Sequence, residues 1–206
     1  MNNTVEVIKQ LRLETGAGVM ECQKALQQCN QDYPKALALV RDTAALKASK
    51  KGDREAHEGL IELYTHGNGR IGVMVEINTE TEFASRSEAL RNFAHQIALH
   101  ITSANPLYVR DEDIPAHILD EQVRATAEQA RAAGKPEKVV EQIIAGVVEK
   151  YKNQHLLLRQ AYIRDEALTI AQLLSQVSGA IGENIVIRRF SRWEICPDAE
   201  IGTPSP

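Results

Sequence analysis

The chain has 206 residues, 43% hydrophobic and 25% charged, enough for a packed core in one domain or two. A balance of 24 basic against 28 acidic side chains, net −4, argues against a protein that works by coating nucleic-acid phosphates, so no direct nucleic-acid partner is expected. No apolar run approaches the roughly 18–20 residues that span a bilayer, and the polar opening has no signal-peptide pattern, so a cytoplasmic chain without a membrane partner is expected.

The first fifty residues predict three short helices. Asn3 followed by Glu6 fits a capping box, with Val7, Ile8 and Leu11 as a small apolar face. Thr15-Gly16-Ala17-Gly18 stops that helix, because glycine tolerates the left-handed backbone that ends helices. Val19, Cys22, Leu26 and Cys29 then recur at steps of three and four. Asp32 caps a third helix, with Pro34 in its first turn and Leu37, Val40 and Ala44 inward. The basic run Lys47–Arg54 reads as a solvated face or linker and marks a boundary. The expected organisation is a three-helix domain with linker over 1–54, a core domain over 55–196 and a loose tail over 197–206.

Beyond the boundary the period changes. Leu60, Ile61 and Leu63 precede His66-Gly67-Asn68-Gly69, and Ile71, Val73, Val75 and Ile77 alternate after it, as in two strands joined by a turn. Residues 86–101 predict a helix with Leu90, Phe93, Ala94, Ile97 and Ile101 on one face, started by Ser85 and Glu88. Two more helices follow, about 116–133 closed by Gly134, and another opened by Pro136. The second carries the chain's strongest apolar stripe, Val139, Val140, Ile143, Ile144, Val147 and Tyr151. Residues 153–165 read as irregular or extended. Thr169 caps a helix ended by Gly182, and a last strand covers about 184–195, interrupted at Arg188-Arg189 as by a bulge. The class is α+β: an N-terminal three-helix unit, then antiparallel strands packed with helices.

Chemical motifs are sparse. Gly67-x-Gly69-x-x-Gly72 matches a dinucleotide fingerprint, but that chemistry needs a helix after the loop, and the period of two that follows predicts a hairpin. Three scattered cysteines are too few for a disulfide scaffold, and Cys22 and Cys29, seven apart on one helix face, read as small buried thiols. His95 and His100 lie about 140° apart around a helix, which disfavours a shared metal. All six histidines read as surface or partly buried structural groups. The pairs Glu80/Glu82 and Asp111/Asp113 are explicable as solubility and helix-start charges. No catalytic residue, metal site or cofactor is expected, and no enzyme. Asn78–Arg86, between a strand and a helix, stands out because Phe83 sits in a polar turn. An aromatic there either caps the core beneath it or projects as a partner anchor, and periodicity favours the core.

Ile8-x-x-Leu11-Arg12-x-x-Thr15-Gly16-Ala17-Gly18-Val19-Met20-Glu21-Cys22-x-Lys24-Ala25-Leu26 is similar to the opening signature of the elongation factor Ts family. The resemblance continues through Asp32, Lys35-Ala36, Tyr64-x-His66-Gly67 and Asn78–Phe83 to Ile181–Phe190, covering about residues 5–195. It implies a ubiquitin-associated-like helical domain. It implies guanine-nucleotide exchange on elongation factor Tu, in its GDP-bound and nucleotide-free forms, with Thr81, Glu82, Phe83 and Ala84 displacing the partner's magnesium. Docking is implied for Thr15, Gly16, Val19, Met20, Gln23, His66 and Gly67. Gln23 stands where the family commonly has lysine, and Glu82 where it has aspartate. Like the short members, the chain carries the hairpin and the Thr-x-Phe motif once, and self-pairing through the C-terminal strand as a sheet edge is expected. The alternative is a ubiquitin-associated-type binding module with no exchange activity.

Overall fold

The computed structural model describes residues 2–49 and 54–195; the tail expected over 197–206 lies outside them. Three helices open the chain: α1 (Asn2–Thr15), α2 (Val19–Gln28) and α3 (Tyr33–Ser49). They close on a small core of Leu11, Cys22, Ala25, Leu26, Ala36 and Val40. Helix α1 begins at Asn2, so Asn3 stands inside it and not at the expected cap. At the start of α3 the Lys35 N–H donates to Asp32 Oδ1 at 3.2 Å, the cap read from the sequence.

The main sheet has the strand order β1-β2-β5, with β1 Glu58–His66, β2 Ile71–Thr79 and β5 Val186–Glu194, all antiparallel. Val73, Val75 and Ile77 point to the buried face, where Phe93, Ile97 and Ile101 of α5 (Glu88–Ala104) meet them. Gly67, Asn68 and Gly69 all have positive φ in the connecting turn, so the glycine motif is a hairpin. In β5 the register runs from Arg189 opposite Glu76 to Ile187 opposite Ile77, leaving Arg188 as the bulge residue.

A one-turn helix, α4 (Glu82–Ser85), lies between β2 and α5. It displaces the expected start of α5: the cap is Ser87, whose Oγ accepts from the Leu90 N–H at 3.2 Å, while Ser85 belongs to α4. Helices α6 (Ala116–Ala132) and α7 (Glu137–His155) pair with each other. The strong stripe on α7 therefore closes a satellite cluster, in which Val140 and α6 residues Ala127 and Ala130 are buried and Ile143 and Ile144 are half-buried. After it come the short strands β3 (Ala161–Tyr162), inside the stretch 153–165 read as irregular or extended, and β4 (Asp165–Thr169), which runs on past it, while residues 153–155 of that stretch are the last of α7. Thr169 and Gln172 form a capping box that starts α8 (Ile170–Ile181), and Gly182, at φ 89°, ends it.

Helix α8 joins the two halves of the molecule. Leu173, Leu174 and Val177 pack toward the sheet core, and α3 lies along another side, with Gly179 against Ala44.

Candidate functional site

Phe83 is 87% exposed, so periodicity misplaced it: the core beneath the turn is filled by Ala84 and Ser85, which are buried. The backbone explains the difference. Thr81 is extended (φ −129°, ψ 153°) and caps α4, its Oγ1 accepting from the Ala84 N–H at 3.3 Å. The single turn then aims residues 84 and 85 inward and residue 83 outward. Ser85 closes it, donating its N–H to the Thr81 carbonyl and its Oγ–H to the Glu82 carbonyl at 2.7 Å. Glu82 projects too, and pairs with Arg86 four residues on at 2.5 Å, both side chains well exposed.

A second segment, remote in sequence, holds this turn. The Glu183 carboxylate accepts from the Thr81 N–H at 3.0 Å through Oε2 and from the Thr81 hydroxyl through Oε1. Next to it the Asn184 N–H donates to Glu80 Oε1 at 2.6 Å, and the Asn184 side-chain amide donates to the Arg54 carbonyl at 2.7 Å. Arg54 in turn lies 3.4 Å from Glu80 Oε2. Glu80 is thus a structural acceptor tying residues 54, 80 and 184 together, not a solvated charge. Neither Glu183 nor Asn184 carried a sequence signal for this role, since their partners lie 102 and 130 positions away.

The docking residues implied by resemblance divide. Thr15 is buried, its hydroxyl donating to the Leu11 carbonyl at 2.6 Å and accepting from the Ala17 N–H. Gly16, at φ 68°, lies against Ala180 of α8. These two shape the loop that presents the exposed Val19 and Met20, with Gln23 half-buried one turn later. Ala180 is three residues from Glu183, about 10 Å of chain at most. The structure therefore brings the residue 15–20 loop and the Phe83 turn to the same end of α8. His66 and Gly67 are exposed at the far end of the hairpin, since Thr79 pairs with Glu58 and His66 with Ile71. Eight residues of strand separate the two ends, about 26 Å. At that far end Tyr64 Oη and His66 Nδ1 are 3.1 Å apart, and the Tyr64 ring meets His95 edge-on.

Among the described residues no group of three or more His, Cys, Asp or Glu side chains could hold a metal, and no helix is long and apolar enough to cross a membrane. Cys22 and Cys29 are free thiols, and burial pushes the Cys22 thiol up from its ordinary pKa. His100 departs from the expectation of surface or partly buried histidines: it is fully buried. Asp111 is not a helix-start charge alone: it accepts from Lys152 at 2.7 Å and from Arg159 at 3.0 Å, and the Lys152 bond leads in holding its carboxyl below the usual range.

Comparison with known proteins agrees with the signature in the first helices and the turn. The family model described as Elongation factor TS matches residues 3–180. The chain is 44% identical to elongation factor Ts of Caldanaerobacter subterraneus subsp. tengcongensis over 191 residues, 93% of this chain and 96% of that one. It is 46% identical to elongation factor Ts of Acetivibrio thermocellus over 191 residues, 93% and 89% of the two chains. With elongation factor Ts of Carboxydothermus hydrogenoformans the identity is 43% over 192 residues, 93% and 88% of the two. A match over most of the chain, by family and by relatives alike, places it among translation elongation factors: the chain belongs to the elongation factor Ts family.

Proposed function

We propose that this chain is the guanine-nucleotide exchange factor of elongation factor Tu, acting in the cytoplasm as a binding factor and not as an enzyme. The observation that carries the reading is Phe83, exposed on a turn hydrogen-bonded from both sides. An aromatic held outward on an ordered backbone loses little freedom when it enters a partner's pocket, which is what an interface anchor requires.

The mechanism is linkage. A factor that binds the nucleotide-free GTPase more tightly than the GDP form lowers GDP affinity by the same ratio. In this reading the 15–23 region docks, and Phe83 enters beside the partner's magnesium site and moves the groups that hold the ion. Loss of that metal would remove a large local positive charge from the phosphates, so GDP would leave faster. Thr81 and Ala84 supply the cap and the buried foot of the turn, Glu82 its flanking charge. His66 and Gly67, at the far end of the hairpin, belong to a second contact. The decisive experiment is release of fluorescent GDP from elongation factor Tu with and without this chain. Binding without acceleration would replace the proposal by a helical binding module.

The second proposed partner is another copy of the chain, seated on the main sheet. Its strand β5 is an outer one, and the sheet face away from α5 carries Ile61 and Leu63 of β1, Met74 of β2 and Trp193 of β5, each 46–79% exposed. A two-fold apposition covers the same apolar row on both copies.

A further inference from the structure

The turn that carries Phe83 is a helix of four residues. One turn of helix fixes several dihedrals for a single hydrogen bond and does not persist alone in water. Its local supports are the Thr81 cap, the Ser85 hydroxyl and the exposed Glu82–Arg86 pair. The exposed pair contributes little, because solvent screens it. Two supports come from outside the turn: burial of Ala84, and the two bonds that Thr81 gives to Glu183.

The second support also sets the cap. Thr81 has one hydroxyl hydrogen, and it is given to Glu183 Oε1. Its lone pairs are then left to accept from the Ala84 N–H, the bond that starts α4. The other carboxylate oxygen takes the Thr81 N–H, fixing the peptide before the cap. Glu183 is itself anchored: its carbonyl accepts from the Ser178 hydroxyl at 2.5 Å, and it follows Gly182, the left-handed residue that ends α8. The carboxylate therefore ties the direction of Phe83 to the end of the helix against which Gly16 packs.

We propose that Glu183 is a positioning residue for nucleotide exchange: by accepting from Thr81 at both N and Oγ1 it holds the turn that aims Phe83 into the partner. The proposal rests on the exchange reading above. It asks for a rate effect, because the carboxylate is engaged within the chain and the docking loop at residues 15–20 is left untouched.

The test compares Glu183→Ala, Glu183→Gln, Phe83→Ala and the Glu183→Ala/Phe83→Ala double variant. Stimulated release of fluorescent GDP from elongation factor Tu is measured over a range of factor concentration. Glu183→Ala is expected to lower the release rate at saturating factor by about tenfold or more, since small misplacements of a positioned group are costly, with the half-saturating concentration moving about threefold or less. Glu183→Gln keeps one acceptor, for the Thr81 N–H, and turns an amide donor toward Thr81 Oγ1, so its rate is expected to fall between those of the parent and Glu183→Ala; a rate equal to the parent's would show that the bond from the Thr81 hydroxyl plays no part and would overturn the two-bond proposal. Adding Glu183→Ala to Phe83→Ala is expected to change the rate by no more than about twofold, because both act through one side chain. Amide hydrogen exchange on the free chain supplies a readout apart from activity: Glu183→Ala speeds exchange at residues 81–85 and leaves β2 and α5 protected. A uniform loss of protection in β2 and α5 would make Glu183 a merely structural residue and overturn the proposal. If Phe83→Ala slows release and Glu183→Ala does not, this proposal alone falls. If Phe83→Ala releases GDP as fast as the parent chain, the exchange reading falls and takes this proposal with it.

Discussion

Gly16 sits so close to Ala180 that a Cβ built on it would lie 3.0 Å from the Ala180 Cβ, at a backbone φ of 68°. Both facts oppose a side chain. Left-handed backbone costs a non-glycine residue about 1–2 kcal/mol, and the crowding against α8 adds to it. Gly16→Ala is expected to destabilise the chain by about 2 kcal/mol, read as a fall in the urea midpoint of about 1 M at an ordinary denaturant slope. A variant as stable as the parent would show that the loop does not depend on its seat on α8.

Phe83→Ala separates function from stability. The side chain is 87% exposed, so its removal is expected to change unfolding free energy by no more than about 0.5 kcal/mol. As an interface anchor its loss costs about 2 kcal/mol or more, a drop of about thirtyfold in stimulated GDP release, with docking weakened less. Unchanged release in stopped-flow fluorescence would refute the role. Glu82→Gln is expected to leave release within about twofold, because the carboxylate is already engaged by Arg86 on an exposed helix face.

The reason periodicity placed Phe83 in the core also shows what local pattern can and cannot carry. The alternation of Ile71, Val73, Val75 and Ile77, the Thr169 cap, the Gly182 stop and the break at Arg188 all became what they predicted, because each is a short-range property of backbone and neighbours. The Phe83 turn depends on whether the strand leads straight into the long helix or through one extra turn. Nothing within a few residues distinguishes these; the Glu183 carboxylate, 102 positions away, takes part in the choice. The α7 stripe, the strongest in the chain, packs on α6 in a satellite cluster and not on the main sheet, since a stripe reports that something covers it and not what. The name of the family came from the run Thr15–Leu26, where Thr15 and Gly16 prove to shape the loop and Val19 and Met20 to face outward.

Self-association is read at the uncovered sheet face. Leu63 and Met74 are paired opposite each other there, 71% and 46% exposed. Leu63→Lys places a charge in the apolar row without touching the core, and is expected to turn a dimer into a monomer at micromolar concentration with the fold intact. Light scattering decides it: a monomeric mass for the parent chain ends the proposal, and a dimer untouched by Leu63→Lys moves the contact elsewhere.

His100 gives the chain an acid-sensitive point in its core. The Gln160 side-chain nitrogen donates to the Gln154 carbonyl at 2.7 Å and faces the Ala104 carbonyl at 3.4 Å, which turns Gln160 Oε1 toward His100 Nε2 at 2.9 Å. His100 therefore carries its hydrogen on Nε2, and a second proton has to go on Nδ1, a buried atom with no hydrogen-bond partner in the described structure. Burial is the leading cause that lowers the His100 pKa from 6.5, with the Gln160 bond opposing it. A base with a depressed folded pKa binds fewer protons folded than unfolded between the two values. Stability from this group is then complete above the unfolded value near 6.5 and is lost as the pH falls below it. One proton difference sets a slope of at most about 1.4 kcal/mol per pH unit. His100→Gln keeps a donor for Gln160 and does not titrate, so its urea midpoint is expected to vary less than the parent's from about pH 7 to about pH 5. Parallel profiles for the two chains would assign the acid sensitivity to other groups.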